Sequence, residues 1–522
     1  MSGLTVAHEA FPMVSRAWPN WLLLAGLVMC GALLRFRHLE YVSRLPMHPD
    51  EPITVEVVNG MRVREDWNTN WKLAGLEETF RRDQFNFSGY LIAARLFAPA
   101  AEVIAGPLQQ RRDRGVVWYR GFSAAFGIGC IVFAWLLGKA VGDTWTALFS
   151  AAGTAVAVIL VQDAHYARPE AFSTFLFLAV AWISVRRTPA SAASLAIAGF
   201  LVGVLTMTKV TLAIAAIFPL WAWLQTRPAE PSHRGRWWLI GGGALLATSV
   251  GLGVAAPAAW SDLPAFMRGL HYLRNQYASA HVPHSRPDHG RMGLAQLAYF
   301  GGTLGLGTAV LALAGSAMML AKRQWTVIIT VLFTVLVTAG YFATQHVFFE
   351  RNLSHVVPLY FLAAGLGLAA IVSPLERRIH RRWISASIGA LVVALALLPA
   401  VRLTYRFVEI DLSGQAAERL RAYSAGVAQR CPPNTRILVT SLLSDEVFEQ
   451  VRQEVQSADA PLLLSVIDFN DPYTALQIKR LPEVFDVLGQ TRFDGIYGDL
   501  PVCTLHTYHG HPVSFWLIQA RP

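Results

Sequence analysis

The chain has 522 residues, 54% of them hydrophobic and only 15% charged, with a mean hydropathy of +0.40. Soluble domains carry about 25% charged residues, so a purely soluble globular protein is excluded. The formal charge of +10 then reads as loop lysine and arginine on the cytoplasmic side of a membrane protein, and no nucleic-acid partner is expected.

Long uncharged runs recur, each near the roughly 20 residues a helix needs to cross about 30 Å of hydrocarbon. About eleven spans are predicted, over Trp21–Leu39, Trp118–Val141, Thr144–Val161, Ala171–Val185, Ala192–Met207, Val210–Leu224, Trp237–Ala256, Leu294–Leu320, Trp325–Ala343, Val356–Val372 and Trp383–Val401. The first run ends in Arg35 and Arg37 without a small-residue cleavage site, which predicts a retained helix whose arginines snorkel outward. Sixteen tryptophans suit anchoring at the lipid–water boundary.

One set of short loops holds Lys139, Arg186, Arg187, Arg227, Arg234, Arg236, Lys322, Arg323, Arg377, Arg378, Arg381 and Arg382. The positive-inside bias makes that set cytoplasmic. The opposite turns offer only Arg168, Lys209 and Arg351. A long first external loop is expected over about residues 40–117. In it "EPITVEVVNGMRV" has helical apolar spacing and "YLIAARLFAPAAEVIAG" reads as an interfacial or re-entrant helix broken by Arg95 and Pro99.

The fold class expected is an all-α polytopic membrane domain over residues 1–402, followed by a small α/β domain outside the cytoplasm over residues 403–522. In the latter, "SGQAAERLRAYSAGVAQR" and "SDEVFEQVRQEV" read as helices and "RILVTS" and "PVSFWLIQA" as strands. Cys30 and Cys130 lie in apolar runs as packing residues, whereas Cys431 and Cys503 fall in the polar tail, where an extracytoplasmic disulfide is open to them.

Four external turns carry the informative polar residues: "MHPDEP" with His48, Asp50 and Glu51; "VQDAHYARPEAF" with Asp163, His165, Tyr166, Arg168 and Glu170; "TMTKVT" with Lys209; and "FFERNLSH" with Glu350, Arg351 and His355. Charge at a membrane edge is costly unless paired or wet. Each turn has a structural explanation of its own: helix capping by Asp50 and Glu51, ion pairs for Arg168 with Glu170 and Glu350 with Arg351, or an interfacial anchor for Lys209. A divalent-metal site from His48, Asp50, Glu51 and His165 has suitable ligand types but no diagnostic spacing, and it is not favoured. Together the turns offer a carboxylate base and a cationic cradle for phosphate. That outline fits glycosyl transfer from a lipid-phosphate sugar, and equally a lipid-phosphate hydrolase or a transporter.

The motifs "HPDE", "HYARPE", "GFLVGVLTMTK" and "ERNLSHVVPLYFLAAG", in this order, resemble the GT-C membrane glycosyltransferases, close to the protein O-mannosyltransferases and the lipid A aminoarabinose transferases. The resemblance implies an inverting transferase that takes a polyprenyl-phosphate sugar to a hydroxyl acceptor at the outer face of a bacterial inner membrane, without a metal cofactor. It implies Asp50 as base, Glu51 as its acidic neighbour and Glu170 as a positioning carboxylate. The lipid phosphate is then held by Arg168, Lys209 and Arg351, with His48, Asp163, His165, Tyr166 and Glu350 lining the substrate site. Relatives carry a proline-rich stretch or a Lys–Pro pair later in the first loop. Here that segment reads "RRDQFNFSGYLIAARL", leaving Arg81 or Arg82 for a phosphate contact. The alternative is a transporter or flippase of a lipid-linked substrate, which would place its polar residues near the bilayer midplane.

Overall fold

The structure, a computed structural model, describes residues 20–37, 39, 50–76, 81–108, 112–186, 190–278, 292–345, 349–379, 382–408, 425–440, 445–457, 459–467, 472–493 and 513–520. The membrane region begins with α1 (Asn20–Phe36), α2 (Glu51–Val63), α3 (Ser88–Ala105), α4 (Arg112–Val141), α5 (Thr144–Val156), α6 (Val158–Ala164), α7 (Pro169–Val185) and α8 (Ala192–Thr208). A 3₁₀ segment, Val210–Ala216, leads into α9 (Ile217–Gln225), followed by α10 (Arg234–Ala255), α11 (Pro257–Ser261), α12 (Leu263–Ala278) and α13 (Met292–Ala298). Then come α14 (Leu306–Ala321), α15 (Trp325–Val327), α16 (Thr334–Ala343), α17 (Val357–Arg378) and α18 (Arg382–Arg406).

Among the described residues, six helices are long and apolar enough to cross a membrane, or eight if each of two bent pairs is one span. α1, α7, α8 and the Val210–Gln225 stretch are apolar but 17 residues or shorter. The chain is thus an integral membrane protein, and its helices share two ends. At one end the Asp143 carboxylate accepts from Ser373 at 2.8 Å and Gln225 donates to Thr326 at 2.8 Å. At the other end lie Leu39, Arg120, the turn from Asp163 to Glu170, Lys209 and Arg351. Lys139, Arg186, Lys322 and Arg377 belong to the first end, so the basic loops stand away from the four informative turns.

α3, expected as an interfacial or re-entrant helix, is among the six helices long and apolar enough to cross a membrane, and it packs against α4. The Tyr90 hydroxyl meets Ser123 at 3.2 Å, and Phe97 stacks on Phe122 at 4.8 Å. Arg62 of α2 forms an ion pair with Glu102 near the far end of α3, which ties the two helices together.

Two runs that read as continuous in the sequence are broken. α5 and α6 meet at 57° across Ala157, and the segment Gln296–Thr303 meets α14 at 110°. At the second break Gly305 has φ +97°, and a Cβ there would lie 2.9 Å from the Ala396 carbonyl oxygen. Only glycine suits that conformation together with that approach.

The expectation that Arg35 snorkels outward is overturned. Its side chain is wholly buried and turns into the bundle, where it donates to backbone carbonyls.

Residues 436–520 contain a four-stranded sheet, β1 (Arg436–Thr440), β2 (Leu462–Ile467), β3 (Phe485–Phe493) and β4 (Val513–Ala520), in the order β1-β2-β4-β3. β1 pairs parallel to β2, and β4 runs antiparallel to both β2 and β3. α19 (Asp445–Gln456) and α20 (Pro472–Val484) complete this region. Phe448, Val451, Leu462, Leu464, Leu481, Phe485 and Ile518 form its core, separate from that of the membrane helices. The Cys431 thiol donates to the Val427 carbonyl at 3.4 Å. Cys503, and most of the helix expected over residues 413–430, lie outside the described residues.

Candidate active site

Asp50 occupies the N-cap position of α2, with Pro52 in the helix's first turn, an arrangement that suits a helix start. Its side chain makes no capping hydrogen bond. It faces two guanidinium groups instead, Arg168 at 3.4 Å and Arg351 at 3.8 Å. Capping therefore does not account for the acid at this position.

Glu51, expected as a second catalytic acid, is differently placed. Both of its oxygens are taken by Arg120, at 2.8 and 2.9 Å, and one also accepts the Ala167 N–H at 2.8 Å. The group is 3% exposed. With three donors on it and almost no exposure, this carboxylate is occupied in structure, and its geometry is that of a clamp. Thr54, one turn further along α2, donates to the Ala167 carbonyl at 2.7 Å. The first turn of α2 thus holds both the N–H and the carbonyl of Ala167 in the "HYARPE" turn, which fixes the spacing between Asp50 and Arg168. His48 lies outside the described residues.

The turn itself is compact. His165 closes α6 with its N–H on the Gln162 carbonyl, and the Arg168 N–H donates to the Tyr166 carbonyl at 2.8 Å. Pro169 then opens α7, and Glu170 sits in its first turn, where a carboxylate suits the helix dipole. Glu170 Oε1 receives Arg168 at 2.8 Å and Lys209 at 3.1 Å. Its Oε2 is buried and has no hydrogen-bond partner among the described residues. Burial alone would lower the basicity of Arg168, but Glu170, Asp50 and Asp163 outweigh it and hold the guanidinium more firmly charged than usual.

Lys209 ends α8 in an extended conformation that lifts its side chain out of the helix before the 3₁₀ segment begins. Arg351 belongs to the 3₁₀ turn Glu350–Leu353 and lies over the Phe349 ring at 4.2 Å. Glu350 is buried in the same turn. Asp163 accepts a short hydrogen bond from Ser354, which joins the second and fourth turns. Tyr166 is buried, with its hydroxyl 3.4 Å from Gln162 Nε2. The two cations nearest solvent are Lys209 and Arg351, with side chains 14% and 16% exposed, against 2% for Arg168.

The structure therefore unites Asp50, Arg168, Glu170, Lys209 and Arg351, and brings Asp163 up through Ser354. Arg81 and Arg82, expected as phosphate contacts, have other neighbours. Arg81 donates to the Leu76 carbonyl at 2.9 Å, and Arg82 packs over the Tyr272 ring at 4.1 Å. The two histidines of the turns are structural in their surroundings. His165 places its ring nitrogens against the Val161 and Arg37 carbonyls, at 2.7 and 3.1 Å. His355 packs edge-on against Phe177, its ring centre 4.9 Å away. Among the described residues no three His, Cys, Asp or Glu side chains are grouped to hold a metal ion.

Sequence reasoning missed Arg120, Thr54 and Ser354. Arg120 had a usable signal: it is a lone charge just inside the apolar run that begins at Trp118, and such residues are retained in membrane helices for a partner.

Burial pushes the His355 imidazole down to about 3, with the Lys209 charge adding to it, and burial pushes His165 down to about 4 against the pull of its two carbonyls. Both stay neutral in the folded protein where an unfolded chain, with histidine near 6.5, takes up protons. At these two histidines the unfolded state binds more protons between about pH 3 and 6.5, so their contribution to stability falls as pH falls through that window. The slope is at most about 1.4 kcal/mol per pH unit for each histidine. Apparent unfolding midpoints in detergent should drop steadily from pH 7 to pH 5, and the slope should flatten in His355→Phe. A pH-independent midpoint in the native protein would contradict this.

No family model matches the chain, and no curated protein does. Solved structures do match. ArnT from Cupriavidus metallidurans, solved bound to undecaprenyl phosphate, superposes with a TM-score of 0.51 at 14% identity, over 95% of this chain and 98% of that one. The fold is the GT-C fold. The oligosaccharyltransferase of Archaeoglobus fulgidus, solved tethered to an acceptor peptide containing the NVT sequon, gives a TM-score of 0.51 at 12% identity over 81% of this chain. This chain spans 62% of the length of that archaeal protein. At these identities the likeness is one of fold.

Proposed function

We propose that this chain is a membrane glycosyltransferase that moves a sugar from a polyprenyl-phosphate carrier to a hydroxyl acceptor, with inversion. The observation that carries the proposal is the meeting of Asp50 with Arg168 and Arg351 beside Glu170 and Lys209, from four sequence-distant turns, at one rim of a GT-C fold. Asp50 takes the acceptor proton as the acceptor oxygen attacks the anomeric carbon, and the sugar–phosphate bond breaks toward the cations. Lys209 and Arg351, the more accessible pair, bind the carrier phosphate. Arg168 and Glu170 brace them from behind, and Glu51 fixes the turn. An arriving phosphate competes for Arg351 and Arg168 and so releases Asp50 for base work.

The basic loops at the opposite end support an extracytoplasmic site. If α3 does not cross the membrane and each shorter apolar helix does, the count is the eleven passes expected from the sequence, and the 436–520 sheet would share the site's side. A transporter would concentrate polar groups at mid-membrane on broken helices, whereas the cluster here sits at helix ends.

The test is purified protein in nanodiscs with a panel of polyprenyl-phosphate sugars and hydroxyl acceptors. Acceptor-dependent release of free polyprenyl phosphate is expected. Transport without release, or no turnover with any donor, would overturn the assignment. Within the same assay, Arg351→Gln should raise the donor KM by about 10–100-fold, the loss of one charged hydrogen bond, with a smaller change in kcat. An unchanged KM would remove Arg351 from the phosphate site.

A further inference from the structure

The break between α5 and α6 has an unusual construction. The local sequence "GTAVAVILV" contains no proline, and nothing in it forbids a continuous helix. Ala157 is nevertheless extended, with φ −67° and ψ 120°. In a continuous helix the carbonyls of Thr154, Ala155 and Val156 would pair with N–H groups four residues on. Here all three are answered by side chains from other helices. Arg35 of α1 donates to Thr154 and Ala155, each at 2.9 Å, and Thr404 of α18 donates to Val156 at 2.6 Å.

The surrounding packing is shaped to admit that arginine. A Cβ on Gly127 of α4 would lie 2.9 Å from Arg35 Nε, 3.0 Å from its Cδ and 2.9 Å from the Ala164 Cβ. The same Arg35 Nη1 also reaches the Gly31 carbonyl of its own helix at 3.2 Å. A buried charge in an apolar bundle is costly, yet this one spends its donors on the backbone of a break. Kinks arise where a side chain inserts into the hydrogen-bond ladder, and Arg35 is that side chain.

We propose that Arg35, assisted by Thr404, is a positioning residue that holds the α5–α6 break open and so aims α6 at the site. α6 delivers Asp163 to Ser354 and leads directly into the turn that presents Ala167 to Glu51 and Arg168 to Asp50. Without the guanidinium, the freed carbonyls recover their partners by straightening the helix, and the whole turn is displaced from α2 and α17. The kinetic part of the test rests on the glycosyl-transfer assignment above; the structural part does not.

The structural part uses cysteine crosslinking in the full chain. D163C and S354C, placed in a C30A/C130A/C431A/C503A background, should crosslink efficiently under mild oxidation, and R35M should lower the yield of that disulfide severalfold while R35K restores most of it. In the native sequence, R35M should lower kcat about 10²-fold with the donor KM within about threefold, as expected for a misplaced site rather than a lost ligand. R35K should recover most of that loss, which a nonspecific packing defect would not allow. A monodisperse R35M protein with native crosslinking and native kcat would overturn the proposal. Should R35M fail to give monodisperse protein, T404V decides: a lowered crosslink yield supports the proposal and a native yield overturns it. A native enzyme that transfers no sugar would sink the glycosyl-transfer assignment alone, with the crosslink still judging Arg35.

Discussion

Asp50→Asn is expected to lower kcat by about 10²–10⁴-fold, the usual contribution of a general base, while donor binding is kept or tightened. The asparagine has the same shape and keeps an oxygen for Arg168 and Arg351, but it cannot take the acceptor proton. Removing the negative charge also removes a competitor for the two guanidinium groups, so the carrier phosphate should bind at least as well. Little stability should be lost. The Asp50 ion pairs are long, at 3.4 and 3.8 Å, and the asparagine oxygen still accepts from both guanidinium groups. The measurement is single-turnover transfer compared with equilibrium binding of the same polyprenyl-phosphate sugar. Transfer at the native rate by the asparagine variant would dismiss Asp50 as the base. Loss of donor binding with intact chemistry would make it a ligand instead.

The site was legible in the sequence because of where its charges fall. Asp50, Arg168, Glu170, Lys209 and Arg351 are polar residues at the ends of apolar runs, and charge there is retained for a reason. The different surroundings of Asp50 and Glu51 were not legible. The two are adjacent and chemically alike, and what separates them is Arg120, 69 positions from Glu51. The helix breaks were hidden for a related reason. Apolar character runs unbroken through Ala157, since the groups that cap the break come from Arg35 and Thr404 on other helices. The bend at Gly305 likewise depends on the close approach of Ala396. Of the sheet, β1 and β4 carry the apolar character of strands. β3, "FDVLGQTRF", mixes polar residues into its run and reads as a strand only once β4 is beside it.

The same two carboxylates allow a sharper test, because their expected failures differ in kind. Glu51→Gln keeps the side chain's shape but leaves the Arg120 guanidinium, only 4% exposed, without its counter-charge. It also weakens the acceptor for the Ala167 N–H. Breaking a buried ion pair from one side costs about 3–5 kcal/mol, so the apparent unfolding midpoint should fall steeply. Arg120→Met should do the same by stranding the Glu51 charge. The double variant E51Q/R120M strands neither charge, and it should be more stable than the two single losses add up to. Transfer by E51Q should fall in proportion to the folded fraction and recover with a stabilising lipid, whereas Asp50→Asn should stay inactive at full stability. An E51Q protein that unfolds at the native midpoint yet transfers nothing would reverse these roles. Glu51 would then be the base, and Asp50 the clamp that holds the cations apart until the phosphate arrives.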